Sequence, residues 1–493
     1  MPCESLPGEA ERKCAQFLRS LASKGLNAIR TFPCEWSTLP EAEPMDIVGR
    51  ANSSLLRRWA HFDRLAQKFG VKLLFVLFNP QVYLDRKWAE RARKFYNPEE
   101  LRRLPPHRRR FLEGKVLKTR SEFFKDPDAL NCQREYLCDL IPKLKALKSI
   151  FAYELINEWG AGEERWIKEH LSLVRRLDPA RPVGISSWGE GLFSGDPVAW
   201  VKIYGVDFVA YHNYPPRWHG HPAIPEGDYG TDVAVTARYA RIGRKPAVLG
   251  EAGGELDAFY RGDRLAHKLG GRDSLWGHIV SGGAGYFSWS GHIDDLAGQI
   301  VSLVPFGSFR RRKPKVGIKV SHPLSVTRNF FSLPAGRELY RRMCKLARLC
   351  FRKGVDFDFC LHDRGYEVGV EATDEGAEEA LERLQPEVEV SYGYDVQFLC
   401  SEDMRTFLCY LRNIAGTKPI WPHPAAEGHS WGYIRFRRRR RVFVRINLPL
   451  RCKWLVAYDL DAGRSSHLKF HRSNGLDLGE TEHDFVLLAT PEL

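Results

Sequence analysis

The chain has 493 residues, 43% of them hydrophobic and 28% charged, with a net charge of +14; this is the profile of a globular protein of roughly two to four domains and excludes a disordered or fibrous one. Its eleven cysteines include no CxxC pair and no Cys/His cluster at zinc spacing, so neither a disulfide framework nor a structural zinc is expected. Basic runs at 102–110, 309–315 and 436–441 carry much of the charge, but they are scattered and differ in pattern, so they read as solvated surface and not as a nucleic-acid partner's site. No apolar run of about 18 residues suggests a membrane span. The N-terminus MPCESLPGEAERKC lacks a basic segment followed by an apolar one, so no signal peptide is visible. As written the chain reads as cytoplasmic, with export left open if the N-terminus is incomplete.

In chain order, residues 9–24 read as an amphipathic helix with Phe17, Leu18 and Leu21 on one side. GLNAIRTF (25–32) is a strand, 54–70 a helix closed by Gly70, and VKLLFVLFN (71–79) an apolar strand. An insertion follows, then a helix over 128–148 and the strand SIFAYELIN (149–157). The alternation continues with helix 163–178, strand 182–189, a short helix 196–205, strand 206–214, a helix near 231–243, strand 245–253, a helix near 264–281 and strand 284–291. These strands are apolar on both faces, as in a parallel sheet covered on both sides. Seven are counted, over 26–32, 71–79, 150–157, 183–188, 206–212, 246–251 and 284–289. An α/β (β/α)8 TIM barrel wants one more, ahead of the first helix, where the N-terminus as written is too short to supply it.

After about residue 305 the pattern changes. KVGIKVS (315–321), a helix over 334–353 and GVDFDFCLHD (354–363) form one βαβ unit. From about 386 short alternating strands predict a C-terminal antiparallel β-sandwich, with the Arg run of 435–441 at an exposed edge or turn. The expected organisation is a TIM-barrel catalytic domain over 1–305, a small α/β domain over 306–385 and a β-sandwich domain over 386–493.

Barrel active sites gather at the carboxyl ends of the strands. Those ends are polar or aromatic here: Arg30, Asn79, Asn157-Glu158, Trp188, His212 with Tyr214, Glu251 and Trp289. A buried unpaired Glu costs several kcal/mol, so two strands that finish on Glu ask for a reason. Arg30 is also explained as a structural ion-pair partner, His212 as a satisfied core histidine, and Trp36, Trp188 and Trp218 as packing.

These residues carry a resemblance to clan A glycoside hydrolases, closest to family 5, the cellulase and mannanase group. The family has Asn-Glu at the end of its fourth strand, matched by Asn157-Glu158. It has His-x-Tyr after the sixth, matched by His212-Asn213-Tyr214. Its nucleophile ends the seventh, matched by Glu251. An Arg in an N-x-x-R context is matched by Asn27 and Arg30, and a Trp on the eighth strand by Trp289. The family usually has Pro after the first Glu; Trp159 stands there in this chain. The resemblance implies a retaining β-glycosidase without cofactor or metal, acting on β-linked glucan or mannan-type oligo- or polysaccharides. It implies Glu158 as acid/base, Glu251 as nucleophile kept ionised by Arg30, and Tyr214 and His212 beside that nucleophile. It implies Asn157 on the sugar 2-OH and Trp289 under the ring, with Trp188 and Trp36 as further sugar platforms. The C-terminal parts resemble the accessory domains of clan A β-galactosidases, which suggests homo-oligomers and an exo-acting alternative. A silent carbohydrate-binding scaffold is the alternative outside enzymes.

Overall fold

A computed structural model describes residues 7–32, 44–78, 81–158, 163–186, 191–213, 229–252, 264–288, 293, 296–304, 309–325, 329–362, 365–414, 418–420, 432–434, 437–452, 454–470 and 475–490. Seven parallel strands form one sheet in sequential order: β1 (Ala28–Thr31), β2 (Lys72–Phe78), β3 (Ile150–Ile156), β4 (Val183–Ser186), β5 (Phe208–Asn213), β6 (Ala247–Ala252) and β7 (Gly285–Ser288). Helix α1 (Pro7–Ser23) precedes β1, and helices lie between the strands, including α2 (Ser53–Lys68), α3 (Pro127–Lys145), α4 (Glu164–Leu177), α5 (Tyr229–Ala240) and α6 (Arg264–Val280). This is the α/β barrel topology, with seven strands among the described residues.

Local chemistry sets the boundaries. Asn52 caps α2 by accepting from the N–H groups of Ser54 and Leu55. The helix stops where Gly70 takes φ +69. Its N–H reaches Gln67 O while that of Val71 reaches Ala66 O, both C-terminal carbonyls otherwise left open. Leu18, Ala66 and Val71 share a buried cluster, whereas Phe17 is exposed, so only part of the expected α1 face is covered.

By contact density the chain divides into two compact units. The first comprises Met1–Ser187, Trp200–Ala210 and Val326–Arg328, the second Trp188–Ala199, Tyr211–Ser325 and Asn329–Leu493. Within the first, a tight turn at 46–51 is held by Tyr83, whose hydroxyl donates to Asp46, and by Tyr96, whose hydroxyl donates to Ile47 O. Burial pushes the Asp46 carboxyl up to about 7, against the lowering effect of Tyr83 and Gly49. Its unfolded value is near the usual ~3.9. The folded state therefore binds the extra proton, and the stability it contributes is full below about pH 4 and lost as pH rises towards 7. Asp46→Asn mimics the protonated acid. Over that window wild type should lose stability relative to Asp46→Asn by up to about 1.4 kcal/mol per pH unit, read from urea unfolding at each pH. Parallel curves for the two proteins would contradict this.

In the second unit, strands β8 (Val316–Lys319), β9 (Phe357–Cys360) and β10 (Val368–Glu371) make a parallel sheet in the order β10-β8-β9, covered by α7 (Pro334–Lys353). Two sheets follow. One runs β12 (Tyr394–Cys400), β13 (Phe407–Asn413), β20 (Phe485–Ala489), β17 (Trp454–Asp459), β18 (Arg464–Lys469). The other runs β11 (Val388–Val390), β16 (Arg440–Ile446), β19 (Leu476–Thr481). Lys418–Ile420 (β14) and Gly432–Ile434 (β15) form a separate ribbon. Phe398, Cys409, Val444 and Leu487 share the core of the sandwich. Tyr410, Val456 and Leu488 face the other way, onto Trp276 and Ile279 of α6. Hence β13 is buried at every position and shows no alternation.

One expectation about arginines differs from the structure. Arg311, read as solvated, is mostly covered and bonded to both Asp356 oxygens at 2.7 and 2.9 Å and to Asp358 at 2.6 Å; these carboxylates hold it charged against the cost of desolvation. The run ending at Arg441 leads into β16, the middle strand of its sheet, but Arg440 and Arg441 pair with β19 alone, so the basic end of that strand is an exposed local edge as expected. Arg441 meets solvent on the outward face, across from Asp477. Among the described residues no helix is long and apolar enough to cross a membrane.

Candidate active site

The described candidates Arg30, Asn157, Glu158, His212 and Glu251 sit at or next to the carboxyl ends of strands of the parallel sheet. In the first unit, β3 is apolar except for Glu154, which is fully buried. A carboxylate there requires a cation, and β1 supplies it. Arg30 donates from Nε to Glu154 Oε2 at 2.7 Å and from Nη2 to Oε1 at 2.5 Å. The same Nη2 donates to Asn157 Oδ1 at 2.6 Å. The fork is bidentate, which fixes the guanidinium plane as well as its charge. Arg30 was expected to serve Glu251; its described carboxylate partner is Glu154, which the sequence reading passed over. The signal was a lone Glu inside a seven-residue apolar strand.

Glu158 follows with φ +54, a left-handed conformation uncommon for a residue with a side chain. Its N–H donates to Ser186 Oγ at 2.8 Å, and that hydroxyl lies 3.4 Å from Ile156 O. Ser186 is the buried last residue of β4. One hydroxyl thus ties the turn that carries Glu158 to the next strand and offsets a conformation costing about 1–2 kcal/mol.

Removing the cation should be severe. Arg30→Ala leaves Glu154 charged and buried, at a cost of about 3–5 kcal/mol in urea unfolding. Arg30→Met combined with Glu154→Leu should recover much of it. A single-substitution loss under about 1 kcal/mol would show that the pair is not what holds β1 to β3.

In the second unit, His212 and Asn213 end β5, both buried. His212 Nδ1 lies 3.5 Å from Glu251 Oε2. Glu251 is near the end of β6, where the pairing with β7 slips by one residue between Leu249 and Ala252. Such a bulge re-aims a side chain out of the strand's alternation. The preceding residue of β5, Tyr211, places its hydroxyl 2.5 Å from His278 Nδ1 on α6. Burial pushes His278 down to about 3, so it stays neutral and serves the framework. Of the other expected site residues, Trp36, Trp188, Tyr214 and Trp289 lie outside the described residues, as do Asn79, Trp159 and Trp218.

No protein-family model matches the chain, and no curated protein sequence matches it. Solved structures do. The β-galactosidase from Bacillus circulans sp. alkalophilus is 10% identical with a TM-score of 0.58, covering 98% of this chain and 97% of that one. The endo-1,4-β-mannanase from Rhizomucor miehei is 16% identical with a TM-score of 0.42, covering 59% and 83%. The GH5_18 structure from Streptomyces cattleya, in complex with Manb1-4GlcNAc, is 15% identical with a TM-score of 0.49, covering 74% and 94%. The first likeness extends over the whole length. It shows a fold shared over 98% of this chain. At these identities the likeness is one of fold.

Proposed function

We propose that the chain is a retaining β-glycoside hydrolase of the clan A type. The observation that carries the reading is the position of two glutamates at the carboxyl ends of strands in one parallel barrel sheet, Glu158 on a strained turn after β3 and Glu251 on the bulge of β6. A glycosidase needs two carboxyls facing one glycosidic bond, and a barrel presents strand-end groups to a common face.

In this reading the Glu251 carboxylate attacks the anomeric carbon while the bond to the leaving oxygen breaks. Glu158 delivers its proton to that oxygen, and a glycosyl ester on Glu251 results. Glu158 then takes a proton from water, the water oxygen attacks the anomeric carbon, and the sugar leaves with its β configuration restored. Asn157, its Oδ1 held by Arg30, offers its amide N–H groups to the sugar 2-OH. The ion pair with Glu154 fixes Arg30, so Asn157 is pre-aimed, which is where such a contact gains most in the transition state. His212 borders the nucleophile.

The substrate is a β-linked gluco- or manno-configured oligo- or polysaccharide. A second reading, an exo-acting β-galactosidase, draws on the full-length fold likeness to a protein of that name. Aryl β-glucoside, β-mannoside and β-galactoside assayed side by side separate the two. The reading predicts hydrolysis of at least one of them or of a β-linked polysaccharide. Failure on all aryl glycosides and on mannan, glucan and galactan would instead support a carbohydrate-binding scaffold.

A further inference from the structure

Asn157 and Glu158 leave β3 on a turn tied to three strands of the first unit. The N–H of Asn157 reaches Phe78 O of β2 at a long 3.5 Å, and Arg30 of β1 holds its Oδ1 at 2.6 Å. On the other side, the ladder between β3 and β4 pairs Tyr153 with Val183 and Glu154 with Gly184. Beyond those pairs a side chain takes over. Ser186 Oγ accepts from Glu158 N–H at 2.8 Å and stands 3.4 Å from Ile156 O. The first distance is that of a good bond and the second is long for a hydroxyl donor, so this oxygen serves chiefly as an acceptor.

The residue that donates is the one at φ +54. Backbone rotation sets where a side chain points, and a left-handed conformation persists at a residue other than glycine where its neighbours over-determine it. Ser186 is fully buried, so the bond is shielded from competition by water and is the stronger for it. Resting on the glycosidase reading, we infer that Ser186 is a positioning residue for the proton transfer: its Oγ holds the turn that aims Glu158 at the leaving oxygen. The serine acts through Glu158 and not on the substrate.

The test, in the full chain, separates substrates by leaving group. In the proposed double displacement kcat/KM reads the step in which Glu158 gives up its proton and the glycosyl ester forms. Ser186→Ala should lower kcat/KM about 10- to 100-fold for an alkyl glycoside of the preferred sugar, whose leaving oxygen needs the proton. For the 2,4-dinitrophenyl glycoside, whose leaving oxygen does not, the change should stay under about twofold. A general loosening of the fold would reduce the active fraction and lower both values by one factor. Val183→Ala, a core truncation at the other end of β4, is the control and should lower Tm while leaving the ratio of the two values unchanged. Ser186→Thr keeps the acceptor and should keep the wild-type ratio. If Ser186→Ala does not fold, Ser186→Cys, a weaker acceptor in a similar space, should move the ratio in the same direction. A wild-type ratio in the folded Ala or Cys variant, or an equal shift in Val183→Ala, would overturn the inference. Absence of hydrolysis by wild type would sink the glycosidase reading itself, a result distinct from either.

Discussion

Replacing Glu251 by alanine is expected to cut the hydrolysis of aryl β-glycosides by about 10⁴- to 10⁶-fold, because the covalent step of the proposed double displacement has no other nucleophile. Sodium azide should restore part of the rate by entering the space vacated by the carboxylate. Its product should be the α-glycosyl azide, since a single displacement on the β-glycoside inverts the anomeric carbon. The same substitution should leave Tm nearly unchanged, because Glu251 ends a strand at the mouth of the sheet and its described ion-pair partner is a histidine and not an obligatory cation. Loss of activity with collapse of the fold would assign Glu251 to structure; retained activity would remove it from the mechanism.

Glu158→Ala should behave differently. In the proposed mechanism the first step uses this group only to protonate the leaving oxygen, so substrates with a good leaving group, such as a dinitrophenyl glycoside, should still form the glycosyl enzyme. Alkyl or sugar leaving groups should slow by about 10²- to 10⁴-fold. Azide should again raise turnover, now by attacking the glycosyl enzyme, and the product should be the β-glycosyl azide after two inversions. Opposite azide anomers from the two variants would assign the two roles without reference to a structure. Identical anomers from both would break the assignment.

Much of the fold is legible in the sequence because burial on both faces of β2 to β5 leaves a plain mark, a short apolar run that ends on a polar or aromatic group. Helix termini were legible for the same local reason, as Gly70 and the Pro334–Lys353 helix show. Of the candidate site, what the sequence made legible is the placement of Asn157, Glu158, His212 and Glu251 at or just beyond the carboxyl ends of β3, β5 and β6. What escaped was set by partners far away in the chain. Glu154 and Arg30 are 124 residues apart, and only the register of β1, β2 and β3 brings them together. Ser186 carries no signal of its own, since a serine at a strand end is unremarkable until the neighbouring turn needs an acceptor. The bulge at Glu251 depends on pairing with β7 and not on the residues of β6 alone. Arg311 looked like surface because its two aspartates come 45 and 47 residues later.

The central claim is a covalent glycosyl enzyme on Glu251. Incubation with a 2,4-dinitrophenyl 2-deoxy-2-fluoro-β-glycoside of the preferred sugar, followed by intact-mass and peptide mass spectrometry, tests it most directly. The account predicts a mass increase of one fluoroglycosyl group per chain, located on the peptide that contains Glu251 and absent from Glu251→Ala. An adduct on another carboxylate such as Glu154, or turnover of the unmodified substrate with inverted product and no adduct, would contradict it.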